Sequence, residues 1–184
     1  MNFQGWTLFL DRDGVINKKI EGGYVLNISM FEFIEGSVEA IARLGRVFKR
    51  VVVVTNQRGI GRGLMSLRDL EEIHNYMVLQ VEKAGGRIDG VFFCPHDYEK
   101  EVCNCRKPDI GLALQAKEAF PDIDFKKSFV VGDSASDMEF AKRIGGIGVF
   151  TGDRTDCSNY DYFYNSLYEF SVTVEEFSRT IIVT

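Results

Sequence analysis

Asp11 and Asp13 stand two residues apart where the apolar run Trp6 to Leu10 stops, and Gly14 permits a sharp turn there. Asp133 closes a second apolar run, Phe129 to Val131, with Asp137 just behind it. Carboxylates gathered in one place repel one another and need a cation between them. A hard oxygen set suits magnesium, which keeps several waters and takes its remaining ligands from a substrate phosphate. A carboxylate held in a dry crevice beside a metal can attack phosphorus and form an aspartyl-phosphate. A second aspartate can protonate the leaving oxygen and then activate water. Charge developing on the phosphoryl group calls for hydroxyl, amide and ammonium donors, which Thr55, Asn56 and Lys107 supply. A lone aspartate at a strand end ordinarily caps a turn. The case therefore rests on Asp-x-Asp-Gly, Thr-Asn, Arg-Lys-Pro and Gly-Asp-x-x-x-Asp occurring in this order.

A second cluster has a softer chemistry. Cys94-Pro95-His96 and Cys103-Asn104-Cys105 are two close pairs with six residues between them. Three thiolates and one imidazole make a complete tetrahedral set with no open position, which fits a structural zinc. The cluster ends immediately before Arg106 and Lys107, so a zinc clamp would fix the backbone presenting those cations. Cys157 and His74 lack such neighbours; Cys157 reads as a free thiol and His74 as a polar position on a helix. The glycines of Arg58-Gly59-Ile60-Gly61-Arg62-Gly63 are spaced Gly-x-Gly-x-Gly, which is not the dinucleotide fingerprint. They suggest a flexible loop on the substrate side, where Arg58 and Arg62 could meet an anion, although surface arginines are usually just solvated.

These residues must be positioned by alternating strands and helices. Trp6 to Leu10, the β-branched run Val51 to Val54, Val91 to Phe93, Phe129 to Val131 and Ile147 to Phe150 read as strands. Helices are expected after Ser37 and Ser66 as N-caps, over Gly111 to Phe120 and over Asp137 to Ile144. That alternation predicts an α/β fold, a doubly wound parallel sheet with helices on both faces. Ligands bind such sheets beyond the carboxyl ends of the strands, where Asp11, Thr55 and Asp133 all fall. No repeat, low-complexity tract or linker interrupts the chain, so residues 1–184 are expected to form a single domain.

Composition narrows the function classes. With 22 basic and 27 acidic residues among 184 the net charge is -5, the wrong sign for a general nucleic-acid or anionic-membrane binder. No stretch is long and apolar enough to span a bilayer. Met1 to Gly5 has no signal-peptide character, so a cytoplasmic location and reduced, metal-binding cysteines are expected. A monomer is expected.

Phe9-Leu10-Asp11-Arg12-Asp13-Gly14-Val15-Ile16-Asn17 resembles the first motif of the haloacid dehalogenase phosphatase superfamily. Val54-Thr55-Asn56-Gln57, Arg106-Lys107-Pro108 and Val131-Gly132-Asp133 with Asp137 are similar to its second, third and fourth. The resemblance runs from about Trp6 to Gly152 and implies a Rossmann-like fold, with Asp11 as nucleophile and Asp13 as general acid/base. It places magnesium on Asp11, the Asp13 carbonyl and Asp133, and phosphoryl oxygens on Thr55 and Lys107, with Asp137 orienting Lys107. The zinc loop, Gly23-Tyr24-Val25 and Phe31 to Gly36 narrow it to the heptose-bisphosphate phosphatases, with histidinol-phosphate phosphatases as near relatives. That branch is capless, and short loops shape its pocket. It implies substrate contacts at Glu21, Gly22, Gly23, Tyr24, Asn56, Gln57, Arg58 and Arg106, and a small phosphorylated sugar as substrate. Two features depart from it. Ser134 follows Asp133 where many relatives carry lysine or arginine, and the segment from Asp153 is unusually aromatic. The aromatic segment is expected to be a final strand and helix on the sheet. A nucleic-acid end phosphatase is disfavoured by charge. A zinc-containing binding module without catalysis would require loss of Asp11, Asp13, Thr55, Lys107 or Asp133, and all are present.

Overall fold

The chain is described by a computed structural model over residues 3–180, Thr180 in its backbone alone. Six strands, β1 (Thr7–Leu10), β2 (Arg50–Asn56), β3 (Gly90–Cys94), β4 (Ser128–Gly132), β5 (Ile147–Phe150) and β6 (Tyr162–Phe163), form one parallel sheet in the order β3-β2-β1-β4-β5-β6. β1 is central: Thr7 pairs with Arg50 on one side and with Ser128 on the other. Four α-helices connect the first five strands, α1 (Ser37–Val47), α2 (Leu67–Lys83), α3 (Gly111–Ala119) and α4 (Ala135–Ile144), and α5 (Leu167–Thr180) follows β6.

The uninterrupted apolar strands are explained by burial on both faces. Leu8, Leu10, Val51, Val53, Phe129 and Val131 face one core with Ile41, Leu44, Leu70, Ile73 and Phe170 of α1, α2 and α5. Phe9, Val52, Val54 and Val130 face the other with Leu112, Ala116 and Phe140 of α3 and α4. The period of two along each strand thus divides its side chains between the layers.

Ser66 caps α2 with a reciprocal bond to Asp69, as its position implies. Ser37 does not cap α1. Gly36 takes that place at φ 74°, and Ser37 is the first helical residue, its hydroxyl donating to the Ile16 carbonyl at 2.8 Å. The aromatic C-terminal segment is a strand and a helix, as expected: Tyr160 stacks on Phe150, and Phe170 enters the core. No described helix is long and apolar enough to cross a membrane.

Candidate active site

The loop after β1 is a tight turn closed by its own backbone. The Arg12 carbonyl accepts from Ile16 N–H at 2.8 Å and Asn17 N–H at 3.1 Å, and Gly14 N–H donates to the Asn17 carbonyl at 2.8 Å. Gly14 has φ 89°, and a Cβ there would lie 2.1 Å from the Asp133 carboxylate. Only glycine lets this loop close against the end of β4. The same turn fixes Asp13. Its carboxylate accepts from Arg12 Nη2 at 3.0 and 2.9 Å, from Asn17 Nδ2 at 2.9 Å and from Gln57 Nε2 at 2.8 Å. Burial alone would raise the Asp13 carboxyl, but the Arg12 charge and these donors outweigh it and hold it below its usual range.

Asp11, Asp133 and Asp137 meet on the other side of the loop, each offering an oxygen within 4.8 Å of the others. The ammonium of Lys107, only 3% exposed, bridges Asp11 at 2.9 Å and Asp137 at 2.6 Å. Asp11 is raised to about 7, by burial foremost and by the Asp137 and Asp133 charges, against the downward pull of Lys107. Asp133 is also raised, chiefly by burial, against the opposing pull of Lys19, whose Nζ sits 2.9 Å from its Oδ2. Asp11 and Asp133, the latter with an ammonium already drawn onto it, offer hard oxygens of the kind that suit magnesium. Asp137 is committed elsewhere: besides Lys107 it accepts from the Ser134 N–H at 3.2 Å and from the Ser134 hydroxyl, capping α4. Its oxygens are thus taken by Lys107 and Ser134, and Ser134 serves the helix cap.

Thr55 is buried at the end of β2 and accepts from Gln57 Nε2 at 2.8 Å. Asn56 is tied to the backbone of Lys107 twice, Nδ2 donating to its carbonyl at 3.2 Å and Oδ1 accepting from its N–H at 3.0 Å. A cavity of about 380 Å³ opens beside Asp13, lined by Lys19, Gly22, Gly23, Tyr24, Asn56, Gln57, Arg58 and Arg62. Glu21 and Arg106 do not line it. Arg58 is not a simply solvated arginine: its Nε donates to Asp97 at 2.6 Å, and its guanidinium lies 4.0 Å over the Tyr98 ring, as Arg106 does at 4.6 Å.

Cys94, His96, Cys103 and Cys105 converge as the sequence implies. Cys94 Sγ lies 2.9 Å from Cys105 Sγ and 3.6 Å from Cys103 Sγ, and His96 Nδ1 lies 3.1 and 3.5 Å from the Cys105 and Cys94 sulfurs. A tetrahedron with ~2.3 Å zinc–sulfur bonds has edges of roughly 3.8 Å, so a small outward shift accommodates the ion. All four cysteines are free thiols. The glycine-rich loop packs directly on this cluster: Gly61 N–H donates to the Pro95 carbonyl at 2.8 Å, and a Cβ on Gly61 would sit 2.5 Å from the Asp97 nitrogen.

Three side chains at the site carry no role in the sequence reading. Arg12 is wholly buried against Asp13, Lys19 reaches Asp133, and His74 is buried with Nε2 3.2 Å from Arg12 Nη1. His74 does lie on a helix, α2, but buried on its inner face. Its one sequence signal is its place among Leu70, Ile73 and Met77 on the inner stripe of α2.

The family description polynucleotide kinase 3 phosphatase matches residues 9–177. A Mycobacterium bovis protein named D-glycero-alpha-D-manno-heptose-1,7-bisphosphate 7-phosphatase is 41% identical over 174 residues, spanning 92% of this chain and 91% of its own. A Vibrio cholerae protein named as the corresponding beta-heptose enzyme is 43% identical over 145 residues, 76% of each chain. Among solved structures, the D,D-heptose 1,7-bisphosphate phosphatase from B. bronchiseptica complexed with magnesium and phosphate superposes with a TM-score of 0.84 at 30% identity, covering 93% of this chain and 98% of that one.

Proposed function

Since the chain belongs to the polynucleotide kinase 3 phosphatase family, and through it to the haloacid dehalogenase phosphatases, we propose that it removes the 7-phosphate of D-glycero-D-manno-heptose 1,7-bisphosphate. The observation that carries this reading is the placement of Asp11 against the buried Lys107 ammonium at 2.9 Å, beside a cavity that Asp13 lines.

Asp11 attacks phosphorus, and the bond from phosphorus to the sugar oxygen breaks. Asp13, which must enter this step protonated against the pull of Arg12, gives that proton to the sugar oxygen, so the sugar leaves as an alcohol. Asp13 then takes a proton from water, which attacks the aspartyl-phosphate, releasing phosphate and restoring Asp11. Thr55 and Lys107 hold the transferring oxygens, and Asp137 aims Lys107. Asp11, the Asp13 carbonyl and Asp133 would hold magnesium, which supplies Lewis-acid neutralisation of the phosphoryl charge. Cys94, His96, Cys103 and Cys105 would hold a structural zinc that steadies the approach to Arg106 and Lys107. Gly22 to Tyr24, Gln57 and Arg58 face the sugar and its second phosphate; Glu21 and Arg106 complete the set from outside the cavity lining.

The heptose assignment is supported by relatives at 39% to 43% identity bearing that name and by a cavity large enough for a heptose, with Lys19 and Arg62 among its cations. The deciding experiment is phosphate release from a panel of both heptose-bisphosphate anomers, histidinol phosphate and a 3'-phosphorylated oligonucleotide. The proposal requires the heptose bisphosphates to give the highest kcat/KM. Preference for histidinol phosphate or the oligonucleotide refutes the substrate while leaving the chemistry intact.

A further inference from the structure

Arg12 is the largest wholly buried side chain in the described residues, held between Asp13 and His74, and the mechanism so far gives that arrangement no role. A guanidinium cannot shed its charge and only donates hydrogen bonds. Its Nη2 is spent on the two Asp13 oxygens, and its Nε has no partner. The remaining nitrogen, Nη1, points away from the active site to His74 Nε2 at 3.2 Å. His74 comes from α2, 62 residues along the chain, and its ring packs against Phe93 of β3, the centroids 5.8 Å apart. The facing donor dictates the tautomer: Nε2 must present its lone pair, with the proton on Nδ1. Burial, then the charge of Arg12, lowers His74 to about 3, so the ring is a neutral, permanent acceptor.

We propose that His74 is the positioning residue of the acid/base step, holding Arg12 in the one rotation that aims Nη2 at both oxygens of Asp13. The proposal rests on the reading of Asp13 as general acid/base. A core-filling ring would need no lone pair at this spot. Without one, Nη1 as well as Nε would be buried and unpaired, and the guanidinium would turn to find other acceptors. Asp13 would keep Asn17 and Gln57 but lose the contact that fixes both of its oxygens.

A displaced acid harms only reactions that need it. An alkoxide leaving group, as in heptose 1,7-bisphosphate, must be protonated; 4-nitrophenolate, leaving from 4-nitrophenyl phosphate, need not be. The ratio of kcat/KM for these two substrates reports the step in which the leaving group departs. His74→Leu should lower kcat/KM for the heptose bisphosphate about tenfold or more, a fraction of the ~100- to 10,000-fold that a general acid contributes, with the aryl ester within about twofold of wild type. His74→Gln, whose amide oxygen can accept from Nη1, should recover most of the loss. His74→Met serves as the apolar variant if the leucine form fails to give the wild-type circular dichroism spectrum. Parallel loss on both substrates, no loss on either, or a glutamine variant no better than leucine overturns the proposal. Asp13→Asn, measured alongside, separates the two ideas. If it shows the same selectivity and His74→Leu does not, His74 alone is wrong; if Asp13→Asn shows none, the acid/base reading fails and takes the His74 proposal with it.

Discussion

Lys107→Met removes an ammonium while keeping an unbranched apolar stem of similar length. In the native protein that ammonium is 3% exposed and lies 2.9 and 2.6 Å from Asp11 and Asp137, with Asp133 in the same cluster. Removing one partner of a buried pair costs about 3–5 kcal/mol, because the other charge is left unmatched. At ~2–4 °C per kcal/mol for a chain of this size, Tm should fall by about 6–20 °C. Protonation offers a partial escape. Asp11 is already raised to about 7, by burial foremost, and loses its one strong downward pull when Lys107 goes. A carboxyl whose folded pKa exceeds its unfolded value binds a proton in the native state that the unfolded chain does not hold. Its contribution to stability therefore declines as pH rises from the unfolded value through the folded one. The destabilisation should be smaller near about pH 6, where Asp11 can stay protonated, and larger near about pH 8.5, where it must ionise. Calorimetry in chelator at both values reads this directly. Added magnesium should return part of the lost Tm at the higher pH, by replacing one positive charge with another, and should not restore turnover. A variant as stable as wild type at the higher pH in chelator, or one hurt more at the lower pH, would refute the reasoning.

Asp11→Asn should abolish phosphate release while leaving the circular dichroism spectrum unchanged, since the side-chain shape is kept; residual turnover near wild type would remove the covalent step. Magnesium must displace the proton that Asp11 carries below about 7, so affinity measured by calorimetry should climb ~tenfold per pH unit below that value and level off above it. A flat profile from acid to alkaline pH would contradict the placement of Asp11 in the metal site. Purified protein should carry one zinc per chain, and Cys103→Ser should lose it, with faster amide exchange over residues 94 to 107 and a raised KM. Elemental analysis, exchange and kinetics on that one variant test the link; zinc loss with an ordered loop and full activity breaks it.

The sequence carried the sheet because its strands are apolar on both faces, and Val51 to Val54 has no other plausible environment. It carried the convergence of Cys94, His96, Cys103 and Cys105 and the meeting of Asp11 with Asp133, because close Cys/His pairs and aspartates at the ends of parallel strands have few alternative uses. The missing parts are those whose meaning lies in distant partners. Arg12 is a nameless position within Asp-x-Asp until Asp13 and His74 are seen around it. Lys19 reads as surface charge until the loop brings it to Asp133. Ser37 has the composition of a cap, yet Gly36 precedes it at positive φ and takes the turn that a serine would strain to make. The part Ser134 plays, capping α4 with Asp137, is visible only in the folded chain.

The central place of β1 also sets the order in which the enzyme is born. Thr7 is made before both of its sheet neighbours, the first at Arg50 and the second only at Ser128. At ~5–20 residues per second, translation leaves that second edge open for roughly 6–24 s. Through that interval Thr7 to Leu10 keeps an open, largely apolar strand edge toward the place of β4, the kind that recruits other strands. The Asp11 amide, which donates to the Val131 carbonyl, has no anchor until β4 has been made. Asp11 is made before both of the strands that flank its own, so a nascent chain halted before β4 carries the whole Asp-x-Asp motif without the sheet that sets it in place.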